Sequence, residues 1–368
     1  MSRYQSTRQN SGRLVWVEHA SRRLRDNPLG DAHERVFPVW LPPQYDQPLS
    51  GNRRFPVFYH LAGYLGSGLA QANWRPFEEN VWMRIARMVH ARAMGPVIVV
   101  FPDCYTALGG NQYINSSALG LYGDYLAREI VPFVDKEFRT MGNRECRAVF
   151  GKSSGGYGAL MQAMLYPEVW GGVANHSGDA YFDFVYRSDW PNTLDVLARH
   201  KPKPPVSGPV RPGKWHPGLA RGLDDGRVKI FLEHMKKCSR PSGQDTHALM
   251  NLCMAATYDP DPRAPNGFRL PFHLDSGELL EKRWNRWLRH DPIHRVALHV
   301  PALKSLKALF LDCGWRDQYH LHYGSRILSR MLHTLKVPHR YEEFDGTHSG
   351  IDERLEHSLP FIFRALKS

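Results

Sequence analysis

Over most of its 368 residues, the sequence alternates between short runs of β-branched or aromatic residues and segments whose apolar residues recur at helical spacing. Such runs predict strands, and the spacing between them predicts helices. The predicted strands are residues 14–19, 35–41, 55–61, 97–101, 147–150, 171–175, 306–311 and 340–344. The predicted helices between them include residues 122–138, 154–166 and 325–335. Strands that alternate with helices favour an α/β fold, here a mostly parallel eight-stranded sheet with helices on both faces.

The alternation stops between Gly178 and Pro301. This stretch contains the segment Lys201–Pro217, whose six prolines predict an irregular or polyproline II conformation. Helices are predicted around it at residues 226–238, 246–257 and 276–289. We therefore expect a core of residues 1–177 and 302–368, with residues 178–301 as a mostly helical cap insertion over a site. The alternative is a decoration that only thickens the scaffold.

Charge and cysteine content narrow the classes of protein to consider. The chain carries 48 Lys and Arg against 36 Asp and Glu, a formal net charge of +12. That surplus attracts polyanions, but no nucleic-acid-binding motif accompanies it, so we expect no nucleic-acid partner. No apolar run approaches the roughly 18 residues of a membrane span, and residues 1–13 lack the apolar stretch of a secretory signal. Because the five cysteines are widely spaced, we expect no disulfide framework and a cytoplasmic protein.

A glycine-rich segment, Gly151-Lys-Ser-Ser-Gly155, joins a predicted strand to a predicted helix. The pattern G-x-S-x-G in that setting is typical of a nucleophile elbow. The two glycines allow a strained turn to pass close to its neighbours. Ser153 would then present its hydroxyl at a helix N-terminus, which favours developing negative charge. We predict Ser153 as a catalytic nucleophile rather than part of an ordinary glycine-rich turn.

A serine nucleophile requires a general base, and in this setting the chain order is serine, acid, histidine. His348 lies in a loop of small residues between the last predicted strand and a final amphipathic helix, so we predict it as the base. Asp312 and Asp317 both follow the strand before it. We favour Asp317 as the acid because it lies farther along the loop, and we expect Asp312 to fix the turn. Weaker alternatives lie closer to the histidine in sequence: Asp345, Asp352 and Glu353.

An oxyanion hole needs two backbone donors. We predict the amide of Ser154, directly after the nucleophile, as one of them. The other comes from the loop after strand 55–61, where the amide of Tyr64 is the first choice and that of Leu65 the second. His60, at the end of that strand, is interpreted as a packed histidine.

These residues resemble an esterase family of α/β-hydrolases that includes esterase D (S-formylglutathione hydrolase), enterochelin-esterase-like proteins, feruloyl esterases and mycolyltransferases. The resemblance rests on Leu41–Asp46, Phe101–Cys104, Gly109–Ser116, Gly151–Gly158, Asn175–Asp179, Gly314–Asp317 and Gly346–His348. It implies an α/β-hydrolase fold and the triad Ser153, Asp317 and His348. The oxyanion loop departs from the family's usual His-Gly pair, because Ala62 precedes Gly63 here.

Four further residues are expected to contact the substrate: Leu65, Gln112, Tyr113 and Trp315. The loop 109–116 has an alternative interpretation as a turn satisfied by its own amides, and the tryptophan either lines a pocket or packs. Asp179 either bonds a substrate or has a structural role, which we favour. The closely spaced histidines at 290 and 294 and at 320 and 322 lack an H-E-x-x-H pattern, so we expect no catalytic metal and no cofactor.

The predicted function is therefore hydrolysis of a small-molecule carboxylic ester through an acyl-enzyme. Two alternatives remain open, an acyltransferase that uses the same acyl-enzyme and a non-catalytic hydrolase fold that binds a ligand. The sequence names neither the acyl group nor the alcohol, and it leaves open whether the chain forms a homodimer. The basic residues among the prolines raise the question of whether the insertion selects an anionic ester.

Overall fold

The computed structural model describes residues 11–47, 51–73, 77–202 and 224–367. Most of the proline-rich segment, residues 203–217, lies outside these ranges. The strands are β1 (Arg13–Ala20), β2 (Glu34–Leu41), β3 (Val57–Leu61), β4 (Ile98–Val100), β5 (Asn115–Ser116), β6 (Gly120–Leu121), β7 (Arg147–Lys152), β8 (Gly172–His176), β9 (Ala308–Gly314) and β10 (Arg340–Phe344).

One sheet contains eight of these strands, in the order β1-β2-β4-β3-β7-β8-β9-β10. β2 runs antiparallel to its neighbours β1 and β4, and the other neighbouring pairs are parallel. Each of the eight predicted strands is confirmed, with ends that shift by a few residues. β5 and β6 pair with each other in a separate ribbon, which the sequence did not predict because two-residue strands carry no readable period.

The helices alternate with the sheet strands outside the insertion. They are α1 (Val81–His90), α2 (Tyr122–Asp124), α3 (Val131–Glu137), α4 (Ser154–Leu165), α5 (Phe182–Val185), α6 (Trp190–Ala198), α7 (Arg227–Lys237), α8 (Gly243–Tyr258), α9 (Glu281–Leu288), α10 (Pro292–Arg295), α11 (Val300–Lys304), α12 (Leu321–Thr334) and α13 (Leu355–Lys367). A π-helical stretch at Tyr125–Ile130 joins α2 to α3, so the predicted helix 122–138 is one continuous helical segment. The predictions missed α1, α5, α6, α10 and α11.

Alternate residues along the strands face opposite apolar layers, as a two-sided buried sheet requires. Phe58 and Phe150 belong to the layer covered by α1 and α13. Their neighbours Tyr59 and Val149 belong to the layer covered by α4, α12 and the helical segment 122–137. Helices therefore cover both faces, as predicted.

The insertion shares the second of these apolar layers. Phe231 of α7, Leu252 of α8 and Trp287 of α9 belong to the same continuous cluster as the sheet residues. Among the described residues, the insertion is thus packed onto the sheet layer without a separate core. The predicted domain boundary between residues 301 and 302 falls inside α11, a short helix that contacts α4.

The topology brings the loops after six neighbouring parallel strands to one edge of the sheet. Parallel strands present their carboxyl ends together, so the segments after β3, β4, β7, β8, β9 and β10 leave the sheet on the same side. That edge is where the candidate site lies. None of the described helices combines the length and apolar character that a bilayer crossing requires.

Candidate active site

Ser153 occupies a strained turn between β7 and α4. Its backbone has φ +59° and ψ −127°, a conformation that non-glycine residues seldom adopt, and its amide donates to the carbonyl of His176 at 2.9 Å. Neighbouring glycines make room for the turn. A Cβ on Gly155 would lie 2.0 Å from the carbonyl oxygen of Leu61, and one on Gly151 would lie 2.4 Å from the same atom. The local sequence therefore holds this serine at the carboxyl edge of the sheet.

His348 and Asp317 form a buried pair beside this turn. The Nδ1 atom of His348 lies 2.8 Å from Oδ2 of Asp317, and the two residues are only 8% and 2% exposed. The amide of Tyr319 donates to Oδ1 of Asp317 at 2.9 Å, and the side chain of Gln318 accepts from the His348 amide at 3.0 Å. These contacts fix both the carboxylate and the imidazole, and they leave Nε2 as the ring nitrogen directed away from the acid.

Ser153 and His348 line one cavity of about 580 Å³. Within the described ranges, no hydrogen bond joins the serine hydroxyl to the imidazole. Catalytic hydrogen bonds in substrate-free structures are often longer than in the reacting complex, so we expect this one to form when substrate binds. The volume matches the range typical of small-molecule sites.

Two backbone amides are available near Ser153. Ser154 is the first residue of α4, and Tyr64 lies in the loop after β3, where Gly63 approaches Ser153. Neither amide donates to an acceptor among the described residues. The Tyr64 side chain fixes its loop, because its hydroxyl donates to the carbonyl of Leu108 at 2.8 Å. The second-choice amide, that of Leu65, is used within the fold, since it donates to the carbonyl of Gly109 at 2.9 Å.

The residues predicted to contact substrate divide into two groups. Leu65 lines the cavity. Gln112 and Tyr113 are buried and do not line the cavity. The side-chain amide of Gln112 donates to Oγ of Ser154 at 2.9 Å. The hydroxyl of Tyr113 donates to the carbonyl of Ala62. These two side chains instead attach the loop 109–116 to Ser154 and to the segment after β3. Trp315 also lies away from the cavity and is 49% exposed.

Asp312 takes part in a second buried Asp–His pair. Its Oδ1 lies 2.7 Å from Nδ1 of His176, and its Oδ2 accepts from Arg354 at 2.9 Å. The other ring nitrogen of His176 contacts the hydroxyl of Ser358 at 2.9 Å. This network ties β8 and β9 to α13, which is a wider role than the turn-fixing one predicted. His60 is packed as predicted, and burial lowers its pKa to about 3.

Sequence reasoning missed the cavity residues that come from the insertion. Tyr186 follows α5, and Thr246, His247 and Met250 lie on α8; all four line the cavity. No catalytic pattern marks them. The sequence offers one indication of the three α8 residues, the helical spacing of residues 246–257. That spacing predicts the helix but does not tell which of its faces lines the cavity. Tyr319, whose ring lies edge-on to that of His348 at 4.9 Å, was also missed.

Comparison with known proteins places this geometry in context. The family model described as "Putative esterase" matches residues 32–352. Two esterases of Mycobacterium tuberculosis strains, Esterase Rv1288 and Esterase MT1326, are each 30% identical over 167 residues, which is 43% of this chain. The match spans only 33% of the length of those relatives.

Solved structures resemble the chain along nearly its whole length. A ferulic acid esterase has a TM-score of 0.58 at 18% identity, covering 97% of this chain and 100% of its own. The hydrolase FphF of Staphylococcus aureus has a TM-score of 0.54 at 14% identity, covering 96% and 98%. An S-formylglutathione hydrolase from Agrobacterium tumefaciens has a TM-score of 0.51 at 14% identity, covering 97% and 96%. At these identities the likeness concerns the fold.

The sheet order, the strand–turn–helix around Ser153 and these neighbours define an α/β-hydrolase fold, which confirms the predicted fold class. The family match extends over most of the chain. The protein therefore belongs to the esterase family that the sequence resemblance indicated.

Proposed function

We propose that this protein hydrolyses small-molecule carboxylic esters with Ser153, His348 and Asp317 as a catalytic triad. Membership of the esterase family supports the reaction class. The observation that carries the residue assignment is the buried 2.8 Å pair of His348 and Asp317, which shares a cavity with the strained serine.

In the first half of the reaction, Oγ of Ser153 attacks the acyl carbon while Nε2 of His348 takes the hydroxyl proton. Asp317 holds the imidazole in the required tautomer and stabilises the imidazolium that forms. The ester bond then breaks as His348 returns the proton to the leaving alcohol. An acyl group remains on Ser153.

The developing oxyanion needs donors that are already oriented. The backbone amides of Ser154 and Tyr64 are the proposed oxyanion donors, because neither donates a hydrogen bond to another described residue. The position of Ser154 at the N-terminus of α4 adds the favourable end of the helix dipole. In the second half of the reaction, His348 activates a water that releases the acid.

We also propose that residues 178–301 act as a cap over this cavity. The residues Val185, Tyr186, His247 and Met250 from this region line the same cavity as Ser153 and His348. A cap in this position excludes part of the bulk water and shapes the pocket for one ester over another.

The test is steady-state hydrolysis of short p-nitrophenyl esters by the wild type and Ser153→Ala. We expect kcat/KM to fall by about 10⁴-fold or more in the variant. Ser177→Ala is the matched control, because Ser177 also has a left-handed backbone, with φ +44°, but lies outside the cavity. Equal activity in the wild type and Ser153→Ala would refute the proposal.

A further inference from the structure

Asp179 is a buried carboxylate in the same cavity that the proposed mechanism does not use. It follows β8, lines the cavity and is 5% exposed. Its Oδ2 atom accepts hydrogen bonds from Nε2 of Gln112 at 3.1 Å and from the hydroxyl of Tyr186 at 2.8 Å. Two donors thus fix the orientation of the carboxylate.

The other oxygen, Oδ1, accepts no hydrogen bond from any described residue. Asp179 nevertheless has no atom that is both fully enclosed and unpartnered, so Oδ1 keeps contact with the cavity space. A buried carboxylate with one satisfied and one open oxygen is a ready acceptor for a ligand donor, because an unpaired buried acceptor is costly.

This open oxygen lies close to the reacting centre. Nε2 of Gln112 is shared between Oδ2 of Asp179 and Oγ of Ser154, which lies 2.9 Å from it. The amide of Ser154 is a proposed oxyanion donor. One side chain, that of Gln112, therefore bridges Asp179 and Ser154, which places the carboxylate beside the proposed oxyanion site.

The electrostatics favour a cation over a neutral donor. Burial raises the pKa of Asp179, and the negative charge of Asp317 acts in the same direction, while the hydrogen bonds of Tyr186 and Gln112 and the charge of His348 oppose them. A positively charged ligand group would supply the missing compensation.

The rest of the cavity lining does not favour an anion. Among the described residues, it includes the carboxylates of Glu78, Glu79 and Asp352. Its basic side chains in the same ranges are Lys152 and Arg84. Glu79 pairs with Arg84 at 3.8 Å and with Arg87 at 2.9 Å, so these charges offset one another. The net charge of +12 on the whole chain is therefore not reproduced in this cavity.

We propose that Oδ1 of Asp179 determines specificity by binding an ammonium group on the acyl portion of the substrate. The inference rests on the proposed ester hydrolysis and names its substrate class, esters of short amino acids. Asp179 contacts substrate in this account but takes no part in the proton transfers.

Three p-nitrophenyl esters with acyl groups of equal heavy-atom count test it: butanoyl, 3-hydroxypropanoyl and 3-aminopropanoyl. An ammonium group also activates an ester chemically, so the informative quantity is the 3-aminopropanoyl to butanoyl ratio of kcat/KM in each protein. We expect this ratio to be about tenfold higher in the wild type than in Asp179→Asn, as typical of a hydrogen bond between charged groups. The 3-hydroxypropanoyl ester should show a smaller change.

Asp195→Asn is the matched control, because it makes the same substitution at an exposed carboxylate of α6 that does not line the cavity. The ratio should stay within about twofold of the wild type there. An unchanged ratio in Asp179→Asn would overturn the inference, while failure of the wild type to cleave even the butanoyl ester would overturn the proposed function.

A second experiment needs only the wild type, so it tests the inference even if Asp179→Asn does not fold. Propylammonium should compete with the butanoyl ester at about tenfold lower concentration than 1-propanol, which has the same heavy-atom count. Equal inhibition by the two compounds would contradict a cation site at Asp179.

Discussion

Asp317 and Asp312 carry the same functional group in two different settings. Each is almost fully buried and contacts Nδ1 of a histidine, at 2.8 and 2.7 Å. Only the histidine beside Asp317, His348, lines the cavity with Ser153; the partner of Asp312 contacts Ser358 instead. The chemistry of an Asp–His pair is therefore decided by what the second ring nitrogen faces.

This contrast gives a matched pair of substitutions. Asp317→Asn should lower kcat by about 10⁴-fold and leave the fold intact, because the amide favours the wrong imidazole tautomer. Asp312→Asn should instead lower the free energy of unfolding by about 3 kcal/mol, since it removes the buried negative charge that both Arg354 and His176 contact. Ester hydrolysis and urea denaturation of both variants check this. Similar kcat losses in folded Asp317→Asn and Asp312→Asn would contradict the assignment.

At the scale of elements, the unit β7–Ser153–α4 depends on close backbone contacts that glycines permit. A Cβ on Gly155 would meet the carbonyl oxygen of Leu61 at 2.0 Å, and backbone cannot yield as a flexible side chain would. Alanine at this position must push α4 away from β3 or distort the turn.

We expect Gly155→Ala to lower the free energy of unfolding by about 3 kcal/mol and to reduce activity in the fraction that folds. Gly243→Ala is the control, because Gly243 begins α8 and has open space where its Cβ would lie. That change should alter the free energy of unfolding by less than about 1 kcal/mol. Thermal unfolding and ester hydrolysis of both variants measure the difference, and a Gly155→Ala protein as stable as the wild type would show that the turn tolerates a side chain.

The elements that could be predicted are those whose signal is local. The strand before Ser153 and the helix after it appear in consecutive residues, so the turn and its serine could be predicted together. The environment of Asp179 could not be predicted, because its hydrogen-bond donor Gln112 lies 67 residues away in the sequence. Its other donor, Tyr186, lies on a different segment from Gln112. Short helices such as α5 and α10 were missed because four residues complete little more than one turn and carry no period.

At the scale of the whole molecule, the insertion and the sheet share one apolar layer. Leu252 of α8 and Val149 of β7 belong to the same buried cluster. Removing the described helices of residues 178–301 would expose part of that layer, so these helices and the sheet depend on each other for their packing. The broken alternation of the sequence indicates an insertion at residues 178–301, and this extent stays a prediction. The shared core could not be predicted, because it arises only from tertiary contacts.

We therefore expect α8 and β7 to unfold in one cooperative step. Hydrogen exchange followed by mass spectrometry in increasing urea should give peptides of both elements the same opening free energy and denaturant dependence. Peptides of the exposed β1 strand serve as the comparison, since an edge strand opens more readily. Opening of α8 at a urea concentration where β7 stays protected would instead show an independently folding cap.

The proposed reaction depends above all on Ser153 being an activated nucleophile. The most direct measurement is mass spectrometry of the protein after treatment with a fluorophosphonate, with peptide mapping of the modified residue. We expect one adduct per chain, on the peptide that contains Ser153. Ser153→Ala should carry no adduct there, and Asp317→Asn should be labelled markedly more slowly. A folded wild-type protein that stays unlabelled, or carries the adduct on another residue, would contradict it.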